Sequence, residues 1–526
     1  MASVDVVHEQ RANIAAPRDA YDAVVVGAGI AGMTAGALLA HAGESVLVVE
    51  SDEKPGGYAH ALSSDGYIFD RADHLISSCE FESPFGQGVI DAVLRELRVR
   101  DQCEFVRVDD PFYVAHYPGF ELAVPCGREP FLEAHVRHFP REAAGLRRLV
   151  ELSAQINREI LALPMRPRLV DLARMPMRSR TLVRYGNATL KDVIDRELSD
   201  PRLKALYATL WLWLGLPPSQ ASFLIWAAMM ASYIEDGAYY CRGSYDSLAA
   251  ALVSGLENSG GELLLGTPVS QILTDGRAVT GITLGSGERV AAAKVISAID
   301  ARTTFEQLLA PGSLPARLLR RIRRMDLSPS MVGIYLGTDL DPRALGAQHE
   351  NSLSAGWDHE QTYVDGLAGN LPEGFVVIPS LTDPSVAPPG KHTVIVHGGA
   401  ARESGETPHD DARLADRLLS VAEQVLPGLR DHLTFVETTA QSPGHPTVHR
   451  MGPIYGWAVS PSQSGLRRLA PKTPIAGLVL AGQWTQPGHG IFAVVESGIQ
   501  AARLALGAPT AVPPLPLGLK ARARVA

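Results

Sequence analysis

The sequence predicts a two-domain α/β protein, more narrowly α+β, in which a Rossmann-like dinucleotide-binding domain with an antiparallel meander is interrupted by an inserted substrate-binding domain. Three observations predict it. The stretch YDAVVVGAGIAGMTAGALLAHAGESVLVVE, Tyr21 to Glu50, passes from a β-branched run through a glycine-rich turn and an apolar helical stretch to a second β-branched run. Between Pro268 and Ser297, the runs PVSQILT, AVTGITL and RVAAAKVIS are separated by Asp275-Gly276 and Gly285-Ser286-Gly287. A further apolar run, GLVLAG from Gly477 to Gly482, precedes a Gly/Pro loop and a helical pattern.

The first stretch reads as a strand (23–26), a turn, a helix from about Ile30 to His41 stopped by Gly43, and a strand (46–49), a βαβ unit. The second is a meander with turn dipeptides of hairpin type. The third supplies a strand and a helix from about Phe492 to Leu506. The expected organisation is a flexible arm (1–19), three pieces of the nucleotide-binding domain (20–110, 241–305, 461–508), two pieces of the substrate domain (111–240, 306–460) and a loose Pro-rich tail (509–526).

Composition excludes several classes. The 526 residues are 46% apolar and 20% charged, with Gly and Pro well short of a disordered or collagenous share. The net charge of −9 leaves no global basic field for a phosphate backbone, so nucleic acid is not an expected partner. Cys79, Cys103, Cys126 and Cys241 show no CxxC spacing, which offers neither a disulfide framework nor a thiolate metal site. No metal is expected, and a cytoplasmic setting fits. The uncharged run Ala23–Ala40 approaches the length of a membrane span, but Gly27, Gly29 and Gly32 mark it as a strand, turn and helix.

Those glycines carry the chemistry. In Gly27-Ala28-Gly29-Ile30-Ala31-Gly32, the first glycine allows the tight turn, the second lets a pyrophosphate reach the N–H groups at a helix N-terminus, and the third permits close helix–strand packing. Glu50, ending the second strand, is placed to accept hydrogen bonds from an adenosine ribose. A second glycine pair, Lys54-Pro55-Gly56-Gly57, follows where a simple NAD domain would continue toward its next helix, which favours FAD.

On these residues a resemblance becomes specific. VVVGAGIAGMTAGALLAHAGESVLVVESDEKPGG with DGYIFDRADHL, the central LPPSQASFLIWAAMMASYIEDGAYYCRGSYDSLAAAL, and the closing TVHRMGPIYGWAVSPSQSGLRR and GLVLAGQWTQPGHGIFAVVESGIQAA resemble the phytoene desaturase, carotenoid isomerase and retinol saturase family of flavoproteins. The resemblance implies an amine-oxidase-like architecture, an FAD-dependent oxidoreductase and non-covalent FAD. By analogy FAD contacts fall on Gly27 to Gly32, Glu50, Ser51, Gly57, Tyr58, Val269, Gly482, Gln483, Gly490 and Ile491. Tyr58 departs from relatives with Arg after the glycine pair.

The expected substrate is a hydrophobic polyene, to be desaturated, isomerised, saturated or reductively cyclised, in a carotenoid or bacterial secondary-metabolite setting, with NAD(P)H a candidate electron donor. WLWLGLPP (211–218) and SFLIWAAMMASYI (222–234) read as either core or the wall of an apolar tunnel. His74, oriented by Asp73, and His489 are candidates for moving the proton that accompanies hydride transfer, against an ion pair of Arg71 with Asp73 and a merely packed His74. Arg166, Arg168, Arg174, Arg178, Arg180 and Arg184, with Asp171 the only acid among them, fit either a peripheral membrane contact or a solvated face. The oligomeric state is open. An amine or amino-acid oxidase of the same fold and a lipid carrier of the GDP-dissociation-inhibitor type are the alternatives, the second disfavoured by the intact glycine cradle.

Overall fold

The computed structural model describes residues 17–71, 75–79, 88–163, 177–368, 370, 373–401, 411–438 and 453–507. His74, Asp73 and most of the arginine-rich segment, from Arg166 to Arg174, lie outside the described residues.

The run YDAVVV forms strand Ala20–Val26, three residues longer at its start than its β-branched core suggests. It sits at the middle of a seven-stranded sheet, pairing parallel with Val46–Val49 on one side and with Arg289–Ser297 on the other. Flanked on both faces, it reads as a continuous valine run because both faces are covered; Val24 and Val25 are fully buried. The meander strands Val269–Thr274, Val279–Leu284 and Arg289–Ser297 are antiparallel. The last of them is nine residues long and serves two partners in succession along one edge: its first half pairs with the meander, and its second half pairs parallel with Leu478–Leu480. That strand therefore fastens the C-terminal segment beside the glycine-rich turn.

The apolar helix Ile30–His41 is buried along nearly its whole length, because it lies under the sheet and against the C-terminal helix Ile491–Ala505. Contact between the two helices is close: a Cβ at Gly498 would fall 2.6 Å from the Ala31 carbonyl oxygen.

A second seven-stranded sheet combines Tyr113–Tyr117 and Phe120–Val124 with Ser330–Thr338, Glu350–Leu353, Gly374–Val377, His392–Ala401 and Leu433–Thr438. Its one parallel pairing, Asn351 to Val114 and Leu353 to His116, joins pieces more than 200 residues apart. Helices from 128 to 236 cover the adjoining core. There WLWLGLPP and the helix Phe223–Asp236 bury Trp211, Phe223 and Trp226, while Trp213 stays half-exposed. Among the described residues no helix is long and apolar enough to cross a membrane.

Candidate functional site: two helix N-termini and an aromatic wall

The three glycines of the fingerprint have different surroundings. A Cβ at Gly32 would lie 2.0 Å from the Gly27 carbonyl oxygen, so this position is closed by packing. A Cβ at Gly29 would meet no protein atom within 4 Å, although Gly29 (φ −66°) has a backbone open to any residue. The space in front of Gly29 is thus a cradle that a side chain would fill, at the N-terminus of an α-helix where N–H groups and the helix dipole favour an anion. Gly57 closes one side, since a Cβ there would come within 3.1 Å of Gly29 Cα.

Glu50 bounds the cradle on the strand side. Its carboxylate accepts from the Ala28 N–H (2.6 Å), the Ser51 hydroxyl (3.0 Å) and the Asp52 N–H (3.1 Å). The carbonyls of Glu50 and Asp52 accept from the N–H groups of Thr267 and Gly266, which brings Val269 alongside. Tyr58 is half-buried, and burial, aided by Asp300, pushes its phenol above the usual range. On the opposite side Gly482 donates its N–H to Ser497 Oγ at 3.0 Å, and a Cβ on it would lie 3.5 Å from Ala31 Cβ. Gly490 caps the helix that Ile491 begins, and a Cβ there would again meet nothing within 4 Å. The analogy's cofactor residues thus fall on the βαβ unit, the meander and the C-terminal helix, and the residues from Gly27 to Gly57, with Gly482, gather at one helix N-terminus.

The loop between Gly482 and Gly490 is held by a residue the sequence did not single out. Arg468 is 1% exposed and donates to four carbonyls: Thr485 (3.1 Å), Gln483 (2.5 Å), Trp457 (3.2 Å) and Tyr455 (3.3 Å). Burial lowers its pKa to about 10. Arg468 therefore fastens the loop to the segment that carries Tyr455.

His489 projects from that loop. Its Nε2–H donates to the Trp213 carbonyl at 3.2 Å, its ring lies 4.4 Å from that of Tyr455, and its buried Nδ1 has no hydrogen-bond partner among the described residues. Burial, and secondarily Arg468, push its pKa down to about 3, so the imidazole is neutral at ordinary pH. The Tyr455 hydroxyl donates to the Leu212 carbonyl (3.1 Å), and Trp213 packs on Tyr233 (5.1 Å) and Phe375 (6.2 Å). Trp213 Nε1 is likewise buried without a partner among the described residues. Trp213 and Tyr233 lie in the two runs that the sequence reads as either core or tunnel wall, whereas nothing in the sequence singles out Tyr455. Among the described residues no group of His, Cys, Asp and Glu could hold a metal ion.

Comparison with known proteins agrees with this geometry. The family model described as flavin containing amine oxidoreductase matches residues 30–506. Phytoene dehydrogenase of Streptomyces griseus is 30% identical, with 92% of this chain and 95% of that protein covered. Prolycopene isomerase 1, a chloroplastic protein of an Oncidium hybrid cultivar, is 28% identical over 92% of this chain and 83% of its own length. Putrescine oxidase bound to putrescine shares the fold, with a TM-score of 0.63 at 16% identity over 93% of this chain and 100% of that one. The open cradle at Gly29, the second open cap at Gly490 and the carboxylate of Glu50 fit FAD. The chain belongs to the flavin containing amine oxidoreductase family and is an FAD-dependent oxidoreductase of the phytoene desaturase, carotenoid isomerase and retinol saturase type.

Proposed function

We propose that the protein exchanges a hydride with a hydrophobic polyene, which it desaturates, isomerises, saturates or reductively cyclises, and that this substrate belongs to bacterial secondary metabolism as readily as to carotenoid chemistry. One observation carries the reading. The wall reached through His489 is built from the rings of Trp213, Tyr233, Phe375 and Tyr455, and its two unpartnered polar atoms, His489 Nδ1 and Trp213 Nε1, are uncharged. Such a surface holds a conjugated apolar chain by stacking and area burial. Single neutral hydrogen bonds suit a hydroxyl or carbonyl on that chain better than an ammonium group. The likeness to a phytoene dehydrogenase and a prolycopene isomerase supports the same class.

FAD, when bound, supplies hydride acceptance or donation at its N5. This chain's residues do the rest. Gly29, Gly57 and Glu50 would hold the pyrophosphate and ribose, with Ser51, Tyr58 and Val269 beside them and Gly482, Gln483, Gly490 and Ile491 on the side of the C-terminal helix. Arg468 fixes the loop, His489 and Tyr455 orient the substrate, and the aromatic wall excludes water. His74 and Asp73 are proposed to handle the accompanying proton, with NAD(P)H as a donor where reduction is the outcome.

The test is anaerobic titration of the holoenzyme with polyenes, amines and NAD(P)H, read by flavin absorbance and product mass. A product lighter by two hydrogens identifies desaturation, one heavier by two identifies saturation or reductive cyclisation, and an unchanged mass identifies isomerisation or redox-neutral cyclisation. Flavin reduction by amines, with no polyene converted, would replace this reading by an amine oxidase.

A further inference from the structure

The helix Phe223–Asp236 ends on a buried carboxylate. Asp236 is 7% exposed, and its Oδ1 is buried with no hydrogen-bond partner among the described residues. It occupies the last helical position, where the negative end of the helix dipole disfavours an anion. The guanidinium of Arg107 lies against Gly237, 3.2 Å from where a Cβ would stand, but among the described residues it makes no ion pair with Asp236. A buried carboxylate oxygen without a donor is costly, so this oxygen calls for a donor from outside the chain.

The segment 75–78 lies along the last two turns of this helix and is tied to it by side chains. Tyr233 donates its hydroxyl to the Leu75 carbonyl (2.8 Å), Ser77 Oγ donates to Ser232 Oγ (2.9 Å), and Ser78 Oγ donates to Asp236 Oδ2 (2.9 Å). Ser232 in turn donates to the Met229 carbonyl (2.7 Å). The three serine hydroxyl protons are therefore engaged, and what the cluster still offers is lone pairs, above all Asp236 Oδ1. Ser78 is held at φ +59°, a left-handed conformation that serine seldom adopts, and strain of this kind collects at ligand sites. Tyr233, three residues before Asp236 and so its neighbour on the helix surface, packs on Trp213 at 5.1 Å. The carboxylate thus lies one helical turn beyond the aromatic wall.

We propose that Asp236, with Ser77, Ser78 and Ser232 around it, is the subsite for one end of the substrate, and that this end carries a hydrogen-bond donor, a hydroxyl or an amine N–H. Carbonyl, ether and bare hydrocarbon ends cannot donate and leave Oδ1 unsatisfied. A site built to bond such a group rejects the analogue that lacks it, because its own buried polar atom is then left unpaired. Asp236 is in this sense a specificity residue, set apart from the wall that holds the chain. The inference rests on the polyene reading and narrows it to chains with a polar, donating end.

The experiment uses the FAD-loaded protein, kept anaerobic, with conjugated tetraenes of one length that end in a hydroxyl, a primary amine, a methyl ether or a methyl group. Binding is read as quenching of tryptophan emission, without turnover. The hydroxyl-ended or the amine-ended probe, or both, should bind at least ~tenfold tighter than the ether and the hydrocarbon, and which of them does so names the end group. Asp236→Leu should reverse that order, because it removes the acceptor and offers apolar surface, whereas loss of a merely structural residue would weaken all the probes alike. Asp236→Asn keeps an acceptor for Ser78 without the charge, so it should hold the hydroxyl-ended probe and lose the amine-ended one; it carries the test if Asp236→Leu fails to retain flavin. Equal affinity of the parent for all the probes would overturn the subsite and assign Oδ1 to a water molecule. So would one order of preference shared by the parent and Asp236→Leu. Failure of the parent to bind any probe would overturn the polyene reading, and the subsite with it.

Discussion

The Nε2–H of His489 donates to the carbonyl of Trp213 at 3.2 Å, across 276 residues of sequence. The bond fixes the tautomer: Nδ1 is left as a buried acceptor, and with a pKa near 3 the ring holds no extra proton at neutral pH. An imidazole this far from the operating pH is a poor general acid or base, so its work is positioning. His489→Ala should lower kcat by at least ~tenfold through lost orientation. The shape of the kcat/KM profile between pH 5 and 9 should not change. Disappearance of an ionisation from that profile would instead make His489 the proton carrier.

Flavin retention separates the glycines. Gly29→Val adds a side chain where the protein has no atom within 4 Å and φ is ordinary, so folding should be untouched. The pyrophosphate would lose its approach to the helix N-terminus. The bound FAD to protein ratio should fall at least ~tenfold with the thermal midpoint of the apoprotein unchanged. Gly32→Val should instead unfold the protein, because its Cβ would sit 2.0 Å from the Gly27 carbonyl oxygen. Full flavin in purified Gly29→Val would remove this site from the cofactor.

Arg468→Met removes a buried cation and leaves the four carbonyls of Tyr455, Trp457, Gln483 and Thr485 without that donor. Unsatisfied buried polar groups cost about 1 to 3 kcal/mol each, although relaxation of a loop recovers part of this. A loss of several degrees in thermal midpoint, with weakened flavin retention, is expected. Arg468→Lys should rescue little, since an ammonium cannot reach four acceptors spread over a planar fork. Parent-like stability of Arg468→Met would show that the carbonyls find other partners.

What was legible in the sequence was local. The glycine spacing, the valine runs and the turn dipeptides act within thirty residues, and they placed the cradle at Gly29, the meander and the C-terminal helix. The second sheet was not legible, because its strands do not share one pattern: Glu350–Leu353 is buried throughout yet reads Glu-Asn-Ser-Leu. Arg468 looked like one of many surface arginines in GLRRL until its four carbonyl partners, supplied by two other segments, were known. The pairing of Phe105–Arg107 with Tyr239–Cys241 likewise brings Cys103 Sγ to 3.4 Å from Cys241 Sγ, a contact between residues 138 apart that no spacing motif encodes.

Buried His135 ties the stability of the fold to acid pH. Its ring is fully buried against Phe131, its Nδ1–H donates to the Phe131 carbonyl at 2.7 Å, and its Nε2 has no partner among the described residues. Burial lowers its pKa from the ordinary 6.5 to about 4. The unfolded chain therefore binds a proton below pH 6.5 that the folded protein refuses until about pH 4. Stability from this group is complete above pH 6.5 and is lost as pH falls through that window, at up to about 1.4 kcal/mol per pH unit. His489, depressed further, adds loss of the same sign. His135→Leu should start from a lower thermal midpoint at pH 7 because it forfeits the bond to Phe131. Between pH 6.5 and 4 its midpoint should then decline less steeply than the parent's. Parallel declines in parent and variant would mean that His135 takes up its proton in the folded state, and that the helix around Phe131 opens to water as the pH drops.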